Sequence, residues 1–191
     1  MKKNGFTLVE MLAVITVLII TITIVVIKAD NSIKEANKFA DSQTIKMIED
    51  AAYIYVEEYA SELTNLNTYN VDRVTVHNLV RKGLLDESKV SDIYNSSMVV
   101  LANINGKIKA KYTVLPKPVI FLNGLDEVSI YVGDNYTEMG AYVATLNVGV
   151  SSLQSSNISS NLNRNVVGTY EIRYSYPNAI TQTRIVNVIS K

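Results

Sequence analysis

The sequence predicts an α+β chain: a long N-terminal helix whose first half is transmembrane, a small α+β head, and a C-terminal all-β sandwich. Three observations carry this. Among the 191 residues, neither Gly nor Pro falls between Phe6 and Lys82, so nothing interrupts one very long helix. From Phe6 to Ile27, 22 residues hold a single charge, Glu10. Beyond Gly83, short β-branched runs alternate with Asn, Gly and Ser.

The composition narrows the chemistry. The chain has 18 basic and 18 acidic side chains, and they also balance by region: 12 and 12 over residues 28–118, 4 and 5 over 119–191. No segment carries the basic stripe that holds a phosphate backbone, so no nucleic-acid partner is indicated. With no Cys there is no disulfide frame, thiolate metal site or cysteine nucleophile. A single His, His77, leaves no histidine pair for zinc, and with no convergent acid–base set the sequence reads as a non-enzyme needing no cofactor.

The first element spans about 33 Å as a helix, enough for a hydrocarbon core of about 30 Å. Lys2 and Lys3 precede it and favour a cytoplasmic N-terminus. An ordinary signal peptide would end in a small-x-small site, but the run closes on Thr23-Ile-Val-Val-Ile-Lys28. A plain anchor leaves Glu10 unexplained, since a carboxylate inside a span costs about 2.5–3.5 kcal/mol.

The residues Lys2-Lys3-Asn4-Gly5-Phe6-Thr7-Leu8-Val9-Glu10 resemble the processing site of type IV prepilins and pseudopilins. The resemblance implies a leader, residues 1–5, cut by a prepilin peptidase between Gly5 and Phe6, followed by N-methylation of Phe6. It implies that residues 6–27 first sit in membrane lipid and then form filament core, drawn out by membrane assembly machinery. Other pilin-like subunits are the implied partners. The cut leaves an α-ammonium on Phe6, and Glu10 lies one helical turn beyond it. An ion pair with a neighbour's ammonium in low dielectric is worth several kcal/mol at most, which offsets the insertion cost.

From Asp30 the helix turns amphipathic. Ile33, Ala36, Ala40, Thr44, Met47, Ala51 and Tyr55 recur every three or four residues, and the helix is expected to run to about Ala60. No proline bends it within the span. Thr64 to Tyr69 is polar and reads as a loop. Thr75 is placed to cap a short helix over Val76–Lys82, with Gly83 in the left-handed closing position. Leu84 and Leu85 turn into the core. Met98–Asn103 and Lys107–Thr113 flank Asn105-Gly106, a strong hairpin signal. This order of long helix, short helix at Val-Arg-Lys-Gly-Leu-Leu and hairpin looks like pseudopilin heads of Gram-positive bacteria. Residues 28–113 thus form a pilin-like helix and head, and His77 takes a structural role.

Leu115-Pro116-Lys117-Pro118 makes residues 114–118 a short stiff linker. Residues 119–191 then offer strands at Val119–Leu122, Val128–Val132, Ala141–Ala144, Thr169–Tyr176 and Thr183–Ile189. Turn signals stand at Asn123-Gly124, Gly133-Asp134 and Pro177-Asn178. Ser151 to Asn163 reads as an exposed loop or edge. Pro118-Val119-Ile120, Val132 to Tyr136, Gly140-Ala141, Gly168-Thr169-Tyr170 and Arg184 to Val188 resemble a family of bacterial surface Ig-like modules. In that family Asp-rich turns are frequent; here the places read Ala144-Thr145-Leu146-Asn147 and Tyr176-Pro177-Asn178-Ala179, so the fold carries over and no metal does.

The resulting expectation is a structural subunit, minor because of its added bulk, of a type IV pilus-like, secretion or competence pseudopilus. It starts as a single-pass membrane protein and ends at the cell surface or in an extracellular filament. The rival from another class is a membrane-tethered adhesin whose Ig-like module binds a ligand without assembly. An N-terminal mass separates the two.

Overall fold

The computed structural model describes residues 42–90, 97–114 and 116–191. The expected leader and span, residues 1–27, lie outside them. Among the described residues no helix is long and apolar enough to cross a membrane. Residues 45–191 form one compact unit, α+β in class and mostly β in its C-terminal part.

Helix α1 covers residues 42–58. Its buried face is Ile48, Ala51, Ala52 and Tyr55, with Met47 and Tyr59 packed alongside. Ala51 and Tyr55 belong to the expected stripe, but its centre lies one residue further on than Met47. A single 3₁₀ turn, Ala60–Glu62, follows.

Thr64–Tyr69 is helix α2 and not a loop. The local signal is weak because Leu63 supplies no capping side chain. The cap comes from a later element: Asp72 accepts from the Asn65 N–H at 3.0 Å. Asn70 then ends α2 in the left-handed conformation, φ 56°. Strand β1, Val71–Thr75, leads directly into α3, Val76–Arg81, capped as expected by Thr75 accepting from the Asn78 N–H. Gly83 takes the left-handed position at φ 75°.

The hairpin forms where Asn105-Gly106 places it: β2, Met98–Ile104, pairs antiparallel with β3, Lys107–Thr113. Asn105 and Gly106 have φ 53° and 79°, both in the left-handed region that the tight turn demands. β1 joins the other side of β2, giving a head sheet in the order β1-β2-β3.

The C-terminal part is a two-sheet sandwich. Its inner sheet is β4 (Val119–Leu122), β6 (Ala141–Thr145) and β7 (Gly149–Ser152). Its outer sheet runs β5 (Glu127–Tyr131), β10 (Gln182–Ile189), β9 (Gly168–Tyr174) and β8 (Ile158–Ser160). β5 and β10 are parallel and every other pair is antiparallel. All five expected strands are present to within two residues at either end. β7 and β8 were not expected; they fall in or beside the Ser/Asn-rich stretch, where Leu153 is buried and β8 is an edge strand.

Layer order is the main architectural fact. Val99 and Leu101 of β2 join the cluster containing Ile48, Ala52 and Tyr55 of α1. Val100, Ala102 and Ile104 point the other way and cluster with Val119, Phe121 and Ala144 of the inner sheet. The inner sheet in turn uses Ile120, Leu122 and Val143 against Ile172, Tyr174 and Val186 of the outer sheet. The unit is four layers deep: α1, head sheet, inner sheet, outer sheet. Two sheets buried on both faces explain the unbroken apolar runs Met98–Ala102 and Val119–Leu122.

Candidate functional site

The sequence-derived site residues Gly5, Phe6 and Glu10 lie outside the described residues. What the structure adds concerns how the folded part is held together and which surfaces it leaves. Three constructions stand out: a buried ionic centre, a capped strand edge, and polar ties across the layers.

The ionic centre is built on β10. Alternation along Gln182–Ile189 turns Arg184, Val186 and Val188 inward, and Arg184 is fully buried. Its Nε donates to the Leu125 carbonyl at 2.9 Å, and its Nη2 donates to the Asn123 carbonyl. Its Nη1 donates to Glu138 Oε1, and the guanidinium lies 5.6 Å from the centre of the Tyr174 ring. Glu138 also accepts from the Tyr174 hydroxyl, from the Tyr136 hydroxyl at 2.6 Å and from the Gly140 N–H at 2.7 Å. Burial alone would raise the Glu138 pKa, but these hydrogen bonds and Arg184 hold it below the usual carboxylate range. Burial and the hydrogen bond to Glu138 push the Tyr174 hydroxyl far above its ordinary value, so it stays a donor.

A buried charge with a hydrogen-bond partner on each of its three nitrogens fixes local geometry. Arg184 ties the β4–β5 turn and the segment before β6 to β10, in the gap where the inner and outer sheets meet. Sequence reasoning placed Arg184 only within a resemblance; the signal for its burial was its inward position in the alternating run Arg184-Ile-Val-Asn-Val.

At the other end of the unit, β3 is the edge of the head sheet. Two of its outward N–H groups are taken by α1 side chains: Ala110 N–H donates to the Tyr53 hydroxyl at 3.1 Å, and Tyr112 N–H donates to Glu49 Oε1 at 2.9 Å. Capping of this kind blunts an edge against pairing with another chain. Burial raises the Glu49 pKa against the Tyr112 hydrogen bond and the nearby Lys111 charge.

Polar ties cross from head to sandwich. Lys111 Nζ donates to Gln182 Oε1 at 2.5 Å, Lys109 Nζ to the Leu122 carbonyl at 2.6 Å, and Asn105 Nδ2 to the Tyr142 hydroxyl at 3.1 Å. Burial lowers the Lys111 pKa, while Asp126 and Glu49 support its charge. On α1 the face turned outward exposes Tyr53 and Ile54. Among the described residues no group of three or more His, Cys, Asp or Glu could hold a metal ion.

Comparison with known proteins adds two family matches and only weak structural likeness. No curated protein matches the chain. A solved lipoprotein from Bacteroides thetaiotaomicron is similar over 39% of this chain and 38% of its own length, at 20% identity and a TM-score of 0.32. That likeness is too slight to carry an argument, and the chain spans well under half of that protein. The family matches fall at the two ends, on the segments the motifs singled out. The chain carries a prokaryotic N-terminal methylation motif of the type IV pilin kind at residues 1–26 and a bacterial surface protein Ig-like domain at residues 120–188.

Proposed function

We propose that this protein is a minor structural subunit of a type IV pilus-like or pseudopilus filament. The observation that carries the reading is the match of residues 1–26 to the N-terminal methylation motif. In this reading a prepilin peptidase removes residues 1–5, Phe6 becomes the N-methylated terminus, and residues 6–27 pass from membrane to filament core. Glu10 neutralises the terminal ammonium of a neighbouring subunit during that transfer. The head and sandwich then face outward at the cell surface.

The four-layer unit supports a structural role. Its only fully buried charged residue, among the described residues, has a partner on each of its three nitrogens, and two outward amides of the β3 edge are taken by side chains of α1. Such a unit suits a load-bearing body better than a catalyst.

Intact-mass analysis of the mature protein tests the first step. The expected product starts at N-methyl-Phe6; a chain retaining Met1 to Gly5 overturns the reading. The Glu10→Ala variant tests the second: it should be processed normally yet fail to enter filaments. Incorporation equal to wild type removes Glu10 from the mechanism.

The match to a bacterial surface Ig-like domain favours one alternative, a tethered adhesin that never assembles. That alternative requires an uncut N-terminus, so the same mass spectrum decides between them.

A further inference from the structure

Between β5 and β6, neighbouring residues serve opposite sides of the sandwich. Glu138 turns to the fully buried Arg184. Met139, the next residue, is 50% exposed. Met47 and Met98 are only partly exposed, and Met47 packs against the α1 cluster. Among the described methionines, Met139 is therefore the one most open to solvent.

Met139 is fastened twice to the turn between β4 and β5. Its carbonyl accepts from Asn123 Nδ2 at 3.0 Å, and Asn123 N–H donates to the Gly140 carbonyl at 3.0 Å. Its thioether lies over Gly124, where a Cβ would stand 2.7 Å from both Sδ and Cε. The methionine thus fills the space that a side chain at 124 would take. Gly124 itself has φ 75°, which glycine adopts at little cost.

The same turn holds Arg184. The carbonyls of Asn123 and Leu125 accept from its Nη2 and Nε. Ile185 N–H, next along β10, donates to the Asp126 carbonyl at 2.8 Å. Arg184 grips the turn from the core, and Met139 covers it from the solvent side. That cover depends on a flexible apolar thioether lying against bare backbone.

Oxidation reverses the character of this side chain. Hydrogen peroxide converts a thioether to a sulfoxide: a sulfur lone pair takes one peroxide oxygen and the O–O bond breaks. The hydroxide that leaves takes up the remaining proton and becomes water, so sulfur loses two electrons and the peroxide gains them. The S–O dipole of the product favours water over an apolar contact.

We propose that Met139 is an oxidation-sensitive fastening: its sulfoxide leaves Gly124, and the β4–β5 turn loosens its hold on Arg184. The device lies wholly within the folded unit and does not depend on how the N-terminus is processed.

The test uses the full chain in dodecyl maltoside, treated with hydrogen peroxide and followed by peptide mass spectrometry and amide hydrogen exchange. Met139 should gain its oxygen before Met47 and Met98 do. Exchange at the Asn123 and Ile185 amides should then rise about three- to tenfold, the range expected when a sulfur contact is lost. The Val100 and Leu101 amides of β2 should hold their rates. Met139→Leu, apolar and of similar length, should exchange as the untreated wild type and stay there after peroxide. Met139→Gln, polar at the same reach, should raise the same rates with no oxidant present. The two variants are independent, so if one fails to fold the other still decides. Oxidation of Met47 or Met98 ahead of Met139 overturns the proposal. So does a fully oxidised Met139 with unchanged exchange at Asn123 and Ile185, a peroxide response retained in Met139→Leu, or wild-type exchange in Met139→Gln.

Discussion

Replacing Glu138 with Gln keeps much of the hydrogen-bonding shape around Arg184 but removes the charge facing its guanidinium. Because that guanidinium is fully buried, Glu138→Ala should cost about 3–5 kcal/mol, the usual result of stranding a buried charge. Glu138→Gln should cost less. The sign with pH follows from the pKa. Glu138 is held below its ordinary 4.5 in the folded state, so its contribution is complete above that value. The contribution drains away as pH falls through the lowered folded value. Urea unfolding of the wild type between pH 5 and pH 3 should therefore show a falling midpoint, and Glu138→Gln should flatten that fall. An unchanged acid profile would place the charge elsewhere. Tyr174→Phe, which removes one of four donors to Glu138, should cost about 1 kcal/mol in the same measurement.

Among the elements, β3 depends on α1 for more than apolar contact. Glu49→Ala and Tyr53→Phe together uncover the N–H groups of Ala110 and Tyr112. Hydrogen exchange at those two amides should speed up while exchange at the paired amides of β2 stays slow. Equal exchange in variant and wild type would show that the edge is protected some other way. The elements that were legible in advance were those with local causes. Asn105-Gly106 announced the hairpin through its own backbone freedom, and Thr75 announced α3 through its own hydroxyl. Helix α2 was not legible because its cap is Asp72, in a strand beyond the helix. β1 escaped because Val71-Asp-Arg-Val-Thr75 is short and lies between two helices. The Ser/Asn-rich stretch read only as an exposed loop or edge; β8 is such an edge, and what stayed hidden is that Leu153 and Ile158 meet the sandwich core. The buried ionic centre was hidden for the same reason: its four residues, Tyr136, Glu138, Tyr174 and Arg184, meet only through the tertiary fold.

For the whole molecule, the shared cluster of Val100, Ile104, Val119, Phe121 and Ala144 predicts one unfolding event. Phe121 lies between the two sheets and is 4% exposed. Phe121→Ala should cost about 3–5 kcal/mol and lower the exchange protection of α1 and of β9 together. Loss confined to the sandwich would mean that the two parts are merely tethered. The clue stood in the sequence: Met98–Ala102 and Val119–Leu122 do not alternate, and a strand without alternation is buried on both sides. Hence Pro116 and Pro118, which mark a boundary in composition, do not mark one in the core.

The double burial of β2 also bears on inheritance. A head whose outer face is Val100, Ala102 and Ile104 cannot lose its sandwich by a simple truncation without leaving that face open to self-association. A sandwich cut away from the head would bare Val119 and Phe121 in the same way. Recombination that exchanges C-terminal modules among such proteins must therefore carry the matching face of β2 with it. In descendants of this chain, head and sandwich are expected to change as a pair.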